Sequence, residues 1–146
     1  MKEITKEVYL KWYEEMLLWR KFEDKLAALY IQQKVRGFLH LYNGQEAVLA
    51  GALHAMELGK DKMITAYRNH VQPIGMGVDP RKVMAELLGK VTGTSKGMGG
   101  SMHIFSKEHG FLEKICIDPP IPFEVPVTFP SNSAITFLGS TPIPIG

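Results

Sequence analysis

Apolar residues recur at steps of three and four through Val8, Trp12, Met16, Trp19, Phe22, Leu26 and Leu29. Lys11, Glu14, Glu15, Lys21 and Lys25 take the opposite face. A period near 3.6 belongs to a helix with one buried stripe, so the pattern predicts a long amphipathic helix over 6–33. Thr5 stands where an N-cap belongs, and Gly37 where the chain should leave the helix. The stripe is broad, aromatic and irregular, unlike a coiled-coil seam. It predicts packing on a domain body or a partner subunit.

Downstream the pattern shortens. Asn43 as cap, with Gln45 and Glu46 in the first turn, predicts a second helix over 44–58. Its small residues, Ala47, Ala50, Gly51, Ala52 and Ala55, allow close packing. Met63 to Tyr67 reads as a short buried strand, and 70–76 as a helical turn. Asp79-Pro80 is a cap followed by proline at the first helical position, so a third helix runs over 80–88, with Gly89 past its end. Residues 91–100 form a loop with four glycines.

The chain changes character near its end. Seven of its nine prolines lie between Pro119 and Pro144, and Lys114 is its last basic residue. Phe123, Val125, Val127 and Phe129 alternate as a strand would, and 134–138 reads as another. Pro122, Pro126 and Pro130 have no N–H for a ladder, so this part can supply a sheet edge at best.

Composition narrows the function classes. At 146 residues the chain fits one domain or part of a larger one. A net charge of +2 excludes a strong general pull toward nucleic acid or membrane. The single Cys116 rules out an internal disulfide framework and fits a reducing compartment. No apolar run spans a bilayer. The start is polar and carries acids, unlike a secretory or transit signal, so a cytoplasmic location is expected.

Candidate chemistry gathers at three places. Tyr67 and Arg68 follow a predicted strand, where a layered α/β protein holds its ligands. Arginine offers a planar fork to phosphate oxygens, and tyrosine a hydroxyl. On spacing alone, a surface arginine beside a half-buried tyrosine outweighs that reading. Gly97, Gly99 and Gly100, flanked by Lys96 and Ser101, could present N–H groups to an anion. They match neither a P-loop nor a dinucleotide fingerprint, and on this signal alone a flexible loop outweighs the anion reading. His40 sits between Leu39 and Leu41, either as a core histidine or as a pocket group suited to an acid substrate. His54 reads as structural. His70, His103 and His109 show no metal-ligand spacing, so no metal site is predicted. Cys116 has no evident activating partner.

Three blocks stand in order: 37–47 (GFLHLYNGQEA), 64–70 (ITAYRNH) and 96–103 (KGMGGSMH), with 16–23 (MLLWRKFE) before them. Together, over residues 4–111, they closely resemble the alpha subunits of thiamine-diphosphate-dependent 2-oxoacid dehydrogenases. Tyr67, in place of the histidine usual in acetoin-cleaving relatives, and the loop missing from branched-chain relatives favour the pyruvate branch. The resemblance implies oxidative decarboxylation of pyruvate and transfer of the acetyl unit to a lipoyl group. Tyr67 and Arg68 would contact the cofactor diphosphate and the substrate, His40 would be the catalytic group beside the 2-oxoacid, and the glycine-rich loop would shape the entrance. It implies thiamine diphosphate and magnesium as cofactors. Its partners would be a beta subunit in a heterotetramer and a lipoyl acyltransferase, with no nucleic acid and no membrane.

The implied fold is α/β, a parallel sheet wrapped by helices, of which residues 1–111 hold the helical N-terminal part. After Phe111 the family continues with glycine-rich and Gly-Asp-Gly motifs, the latter with a downstream asparagine holding magnesium. These motifs do not occur here. Residues 112–146 are therefore expected to be an aberrant, proline-rich and poorly ordered tail, with the fold truncated before most of its sheet. The alternatives are a non-catalytic remnant that binds a subunit and an acetoin dehydrogenase alpha subunit.

Overall fold

The computed structural model describes residues 4–35, 37–65, 67–112 and 136–138. Helix α1 runs Lys6–Ile31 and buries Trp19, Phe22, Glu23 and Leu26. The buried residues follow the predicted stripe, and each large apolar one contributes about 1.5–3 kcal/mol. Thr5 occupies the N-cap position, but its side chain makes no capping bond. The helix ends before Gly37. Gln33 adopts φ 58, and the N–H groups of Gln33 and Lys34 donate to the carbonyls of Tyr30 and Leu29. A left-handed residue closing the last turn this way ends a helix even where it is not glycine.

Helix α2 spans Glu46–Ala55, shorter at both ends than predicted. Gly44 has φ 90, outside helical space, so the helix cannot start there. Asn43 is not its cap; its amide donates to Asp24 Oδ1 at 3.0 Å. The Glu46 carboxylate instead folds back to accept the Gly44 N–H at 2.9 Å. It also receives Arg20 from α1 in a two-pronged pair, Nε–Oε1 2.7 Å and Nη2–Oε2 3.0 Å. Burial pushes the Glu46 carboxyl up, but hydrogen bonds from Arg20, its own N–H and Gly44 hold it below the usual range. Burial, followed by the negative Glu46, pushes the Tyr42 phenol up to about 12.

Strand β1 (Met63–Thr65) leads to the short helix α3 (Gln72–Gly75) and then α4 (Pro80–Leu87). As predicted, Asp79 caps α4, its side chain accepting the Arg81 N–H. Strands β2 (Phe111–Leu112) and β3 (Thr136–Leu138) flank β1 in the order β2-β1-β3, both parallel to it. Met63 pairs with Phe111 on one side and with Thr136 on the other. Parallel neighbours require crossover connections, so this is the α/β architecture expected, with a helical front and a small parallel sheet. β3 lies at an edge, where 134–138 was placed by sequence. The strand expected near 123–129 lies outside the described residues, as do Cys116 and all of the 112–146 tail except Leu112 and 136–138.

One core joins these elements. Trp19, Phe22 and Leu26 of α1 meet Leu49 of α2, Met63 of β1, Ile74, and Val83 and Leu87 of α4, with Ile104 and Phe111 below. No helix among the described residues is long and apolar enough to cross a membrane.

Candidate active site

The turn after β1 carries Tyr67 and Arg68 to the mouth of a cavity of about 220 Å³. Arg68 adopts φ 55, an uncommon conformation for a side-chain-bearing residue. Its Nη1 donates to the Leu41 carbonyl at 3.1 Å, which ties the turn to the segment before α2. That segment brings His40, whose ring centroid lies 4.7 Å from that of Tyr67. The Arg68 guanidinium carbon sits 5.5 Å from the Tyr67 ring centre, within cation–π range. All three residues singled out by sequence therefore converge on one wall. His40 is exposed, which removes the core-histidine reading.

Arg68 Nε is buried and has no hydrogen-bond partner. A buried donor left this way costs about 1–3 kcal/mol unless a ligand satisfies it, and a phosphate or carboxylate oxygen is its natural complement. Among the described residues the lining holds one guanidinium, the imidazoles of His40 and His70, a phenol and a hydroxyl, and no carboxylate. Such a lining favours an anion. The far wall comes from Ser101 and Met102, at the end of the glycine-rich loop. Ser101 Oγ donates to the Phe38 carbonyl at 2.8 Å and closes the loop onto the His40 segment. Ser101 and Met102 thus bring the end of the loop to this cavity.

The loop's own N–H groups face elsewhere. Glu86 of α4 is fully buried. Its Oε2 accepts from the N–H of Ser95 at 2.7 Å and of Gly97 at 2.9 Å, and its Oε1 from Gly99 at 2.7 Å. The anion in this nest is the protein's own carboxylate, so the N–H groups of Gly97 and Gly99 are matched within the protein. Glycine is needed at Gly97 because φ is 77 and a Cβ would collide with the backbone of Gly89 and Lys90. Gly99 lies as close to the His103 carbonyl.

The remaining histidines separate. His54 packs edge-on to Trp12, ring centroids 5.2 Å apart, as a structural residue. His109 Nδ1 is 2.7 Å from Ser106 Oγ in a local turn away from this cavity. His70, weighed from sequence only as a metal ligand, lines the cavity and bonds the buried Glu23. Sequence reasoning passed over Glu23 and Glu86. The signal was present: each is an acid on the apolar face of an amphipathic helix, beside Phe22 and Leu26 or beside Val83 and Leu87. Among the described residues no group of three His, Cys, Asp or Glu could hold a metal ion.

Comparison with known proteins covers this whole region. Residues 14–118 match the model of the Dehydrogenase E1 component family. The chain is 52% identical over 109 residues to the pyruvate dehydrogenase E1 component subunit alpha-3, chloroplastic, of Arabidopsis thaliana, covering 75% of this chain and 25% of that protein. It is equally similar, at 52%, to the pyruvate dehydrogenase E1 component subunit alpha of Porphyra purpurea, covering 31% of it. The corresponding protein of Rickettsia bellii is 41% identical over 142 residues, covering 92% of this chain and 43% of that protein. The chain thus spans less than half the length of these relatives.

Proposed function

The chain belongs to the dehydrogenase E1 component family, and from that premise we propose that it acts in the oxidative decarboxylation of pyruvate as part of an alpha subunit. The acetyl unit would pass to a lipoyl group on an acyltransferase partner, with a beta subunit completing a heterotetramer in the cytoplasm. The observation that supports this best is the convergence of His40, Tyr67 and Arg68 on a cavity with no acid among its described lining residues. Arg68, with its unsatisfied Nε–H, suits a diphosphate or carboxylate oxygen, and the Tyr67 phenol adds a donor beside it. His40 offers an imidazole to a 2-oxoacid. When bound, thiamine diphosphate supplies the electron sink for loss of carbon dioxide. Arg68 and Tyr67 would hold its anionic end, while the glycine-rich loop, engaged with Glu86, supplies only the wall. The described residues do not fit a magnesium site, so no step is assigned to the metal.

The test is calorimetric titration of the chain with thiamine diphosphate and magnesium, with and without a beta subunit, followed by a decarboxylation assay on pyruvate. Binding that weakens in Arg68→Ala, with turnover above background, supports the reading. Turnover of acetoin instead transfers the chain to the acetoin-cleaving branch. No binding in any arm identifies a non-catalytic, subunit-binding fragment.

A further inference from the structure

Glu23 lies on the buried stripe of α1 and is 1% exposed, as is His70. The two are 47 residues apart in sequence, yet His70 Nδ1 lies 3.0 Å from Glu23 Oε1 and 3.4 Å from Oε2. A lone carboxylate buried this deeply is strongly unfavourable. An ionised carboxylate only accepts, so a His70 carrying its proton on Nδ1 would be the donor that offsets the cost. Nδ1 is thereby committed. Any polar contact that His70 makes with a molecule in the cavity it lines must run through Nε2.

We propose that Glu23 is a positioning residue that fixes His70 in its Nδ1–H form and thereby makes Nε2 a hydrogen-bond acceptor for the ligand. The inference rests on reading the cavity as the substrate and cofactor site. The group it would take is an O–H or N–H donor, such as an enol hydroxyl or an amino group. If that proton transfers, it leaves the ligand heteroatom for Nε2, and the bonding pair stays on the ligand. The imidazolium then sits beside the Glu23 carboxylate, a paired charge rather than an isolated one. His40 and His70 thus divide the cavity: one exposed imidazole tilted against Tyr67, and one buried imidazole held by an acid.

Long-range proton–nitrogen correlation spectra of the full chain, at mildly alkaline pH, read the tautomer directly. The His70 signals are assigned by their loss in His70→Gln. The expected result is a pyrrole-type Nδ1 and a pyridine-type Nε2. Glu23→Leu removes the acceptor and should move His70 toward the Nε2–H form. Glu23→Gln, nearer in shape and kept in case the leucine variant fails to fold, should give a mixture, because an amide can also donate to Nδ1. A pyridine-type Nδ1 in the parent chain overturns the proposal, as does an unchanged tautomer in the folded variants. This arm is independent of the enzymatic reading. In the assembly with a beta subunit, Glu23→Gln should lower kcat on pyruvate about tenfold or more, with KM moving less. An unchanged kcat would refute the role of Nε2 toward the ligand. An inactive parent assembly with the expected tautomer counts against the enzymatic reading and leaves the Glu23 assignment standing.

Discussion

The turn at Tyr67–Arg68 and the glycine-rich loop at 93–100 both carry the residue types of an anion site, and they have opposite fates. At the turn a guanidinium is held by one carbonyl, keeps a buried N–H unmatched, and belongs to a residue lining a cavity with no acid among its described lining residues. In the loop, the N–H groups of Ser95, Gly97 and Gly99 are already matched by Glu86. The difference teaches that donors define a ligand site only where the protein has not supplied its own acceptor. A buried carboxylate needs several such donors to be tolerated, so a glycine loop beside a buried acid is structural before it is functional.

The largest expected effect tests the loop. Glu86→Ala strands three part-buried N–H groups and leaves a cavity, and should cost about 3–4 kcal/mol of stability in urea unfolding. A loss below about 1 kcal/mol would mean that the loop does not depend on its internal anion, and the contrast with the turn would collapse. Next, Gly97→Ala sets a side chain against the backbone of Gly89 and should cost about 2–4 kcal/mol. At Gly100 φ is 59 but nothing lies within 4 Å of an added Cβ, so Gly100→Ala should cost only about 1 kcal/mol. Equal losses at the two glycines would show that packing against Gly89 is not what fixes the loop.

Arg68→Ala probes the other side of the comparison. Loss of a charge-assisted contact of about 1.5–3 kcal/mol should weaken thiamine diphosphate binding roughly 10- to 100-fold by calorimetry. An unchanged affinity would remove Arg68 from the site. The smallest effect is acidic. The Glu46 carboxyl is held below its ordinary value of 4.5, so its contribution is present above that pH and is lost as pH falls through the lower, folded-state value. Because Arg20 is 45% exposed, the loss should stay below about 1 kcal/mol. It should loosen the segment bearing His40, read as faster amide exchange at residues 40–44, before the glycine-rich loop responds.

Much of this was legible in the chain. The stripe through Trp19, Phe22 and Leu26, the Asp79-Pro80 start of α4 and the β1 strand follow from local periodicity and capping chemistry, which neighbours alone decide. Following a strand made Tyr67 and Arg68 candidates, and an apolar setting did so for His40. Spacing alone favoured a surface arginine, and only the resemblance joined the three in one site. The end of α1 was not legible, because Gln33 closes it in a conformation usually left to glycine. Nor was the start of α2, because the Glu46 carboxylate that organises it answers to Arg20 on another helix.

The sequence by itself determined the helical front, the glycine positions and the residue types that make an anion site conceivable, since each depends on steric or electronic properties of a few adjacent residues. Only the tertiary structure decided which donors remain available. Glu86 reaches into the glycine-rich loop from α4, Glu23 reaches His70 across 47 residues, and Arg68 Nε is left buried and unmatched. A hydrogen bond acts over about 3 Å and ignores distance along the chain, so packing alone determines which donors each acid reaches.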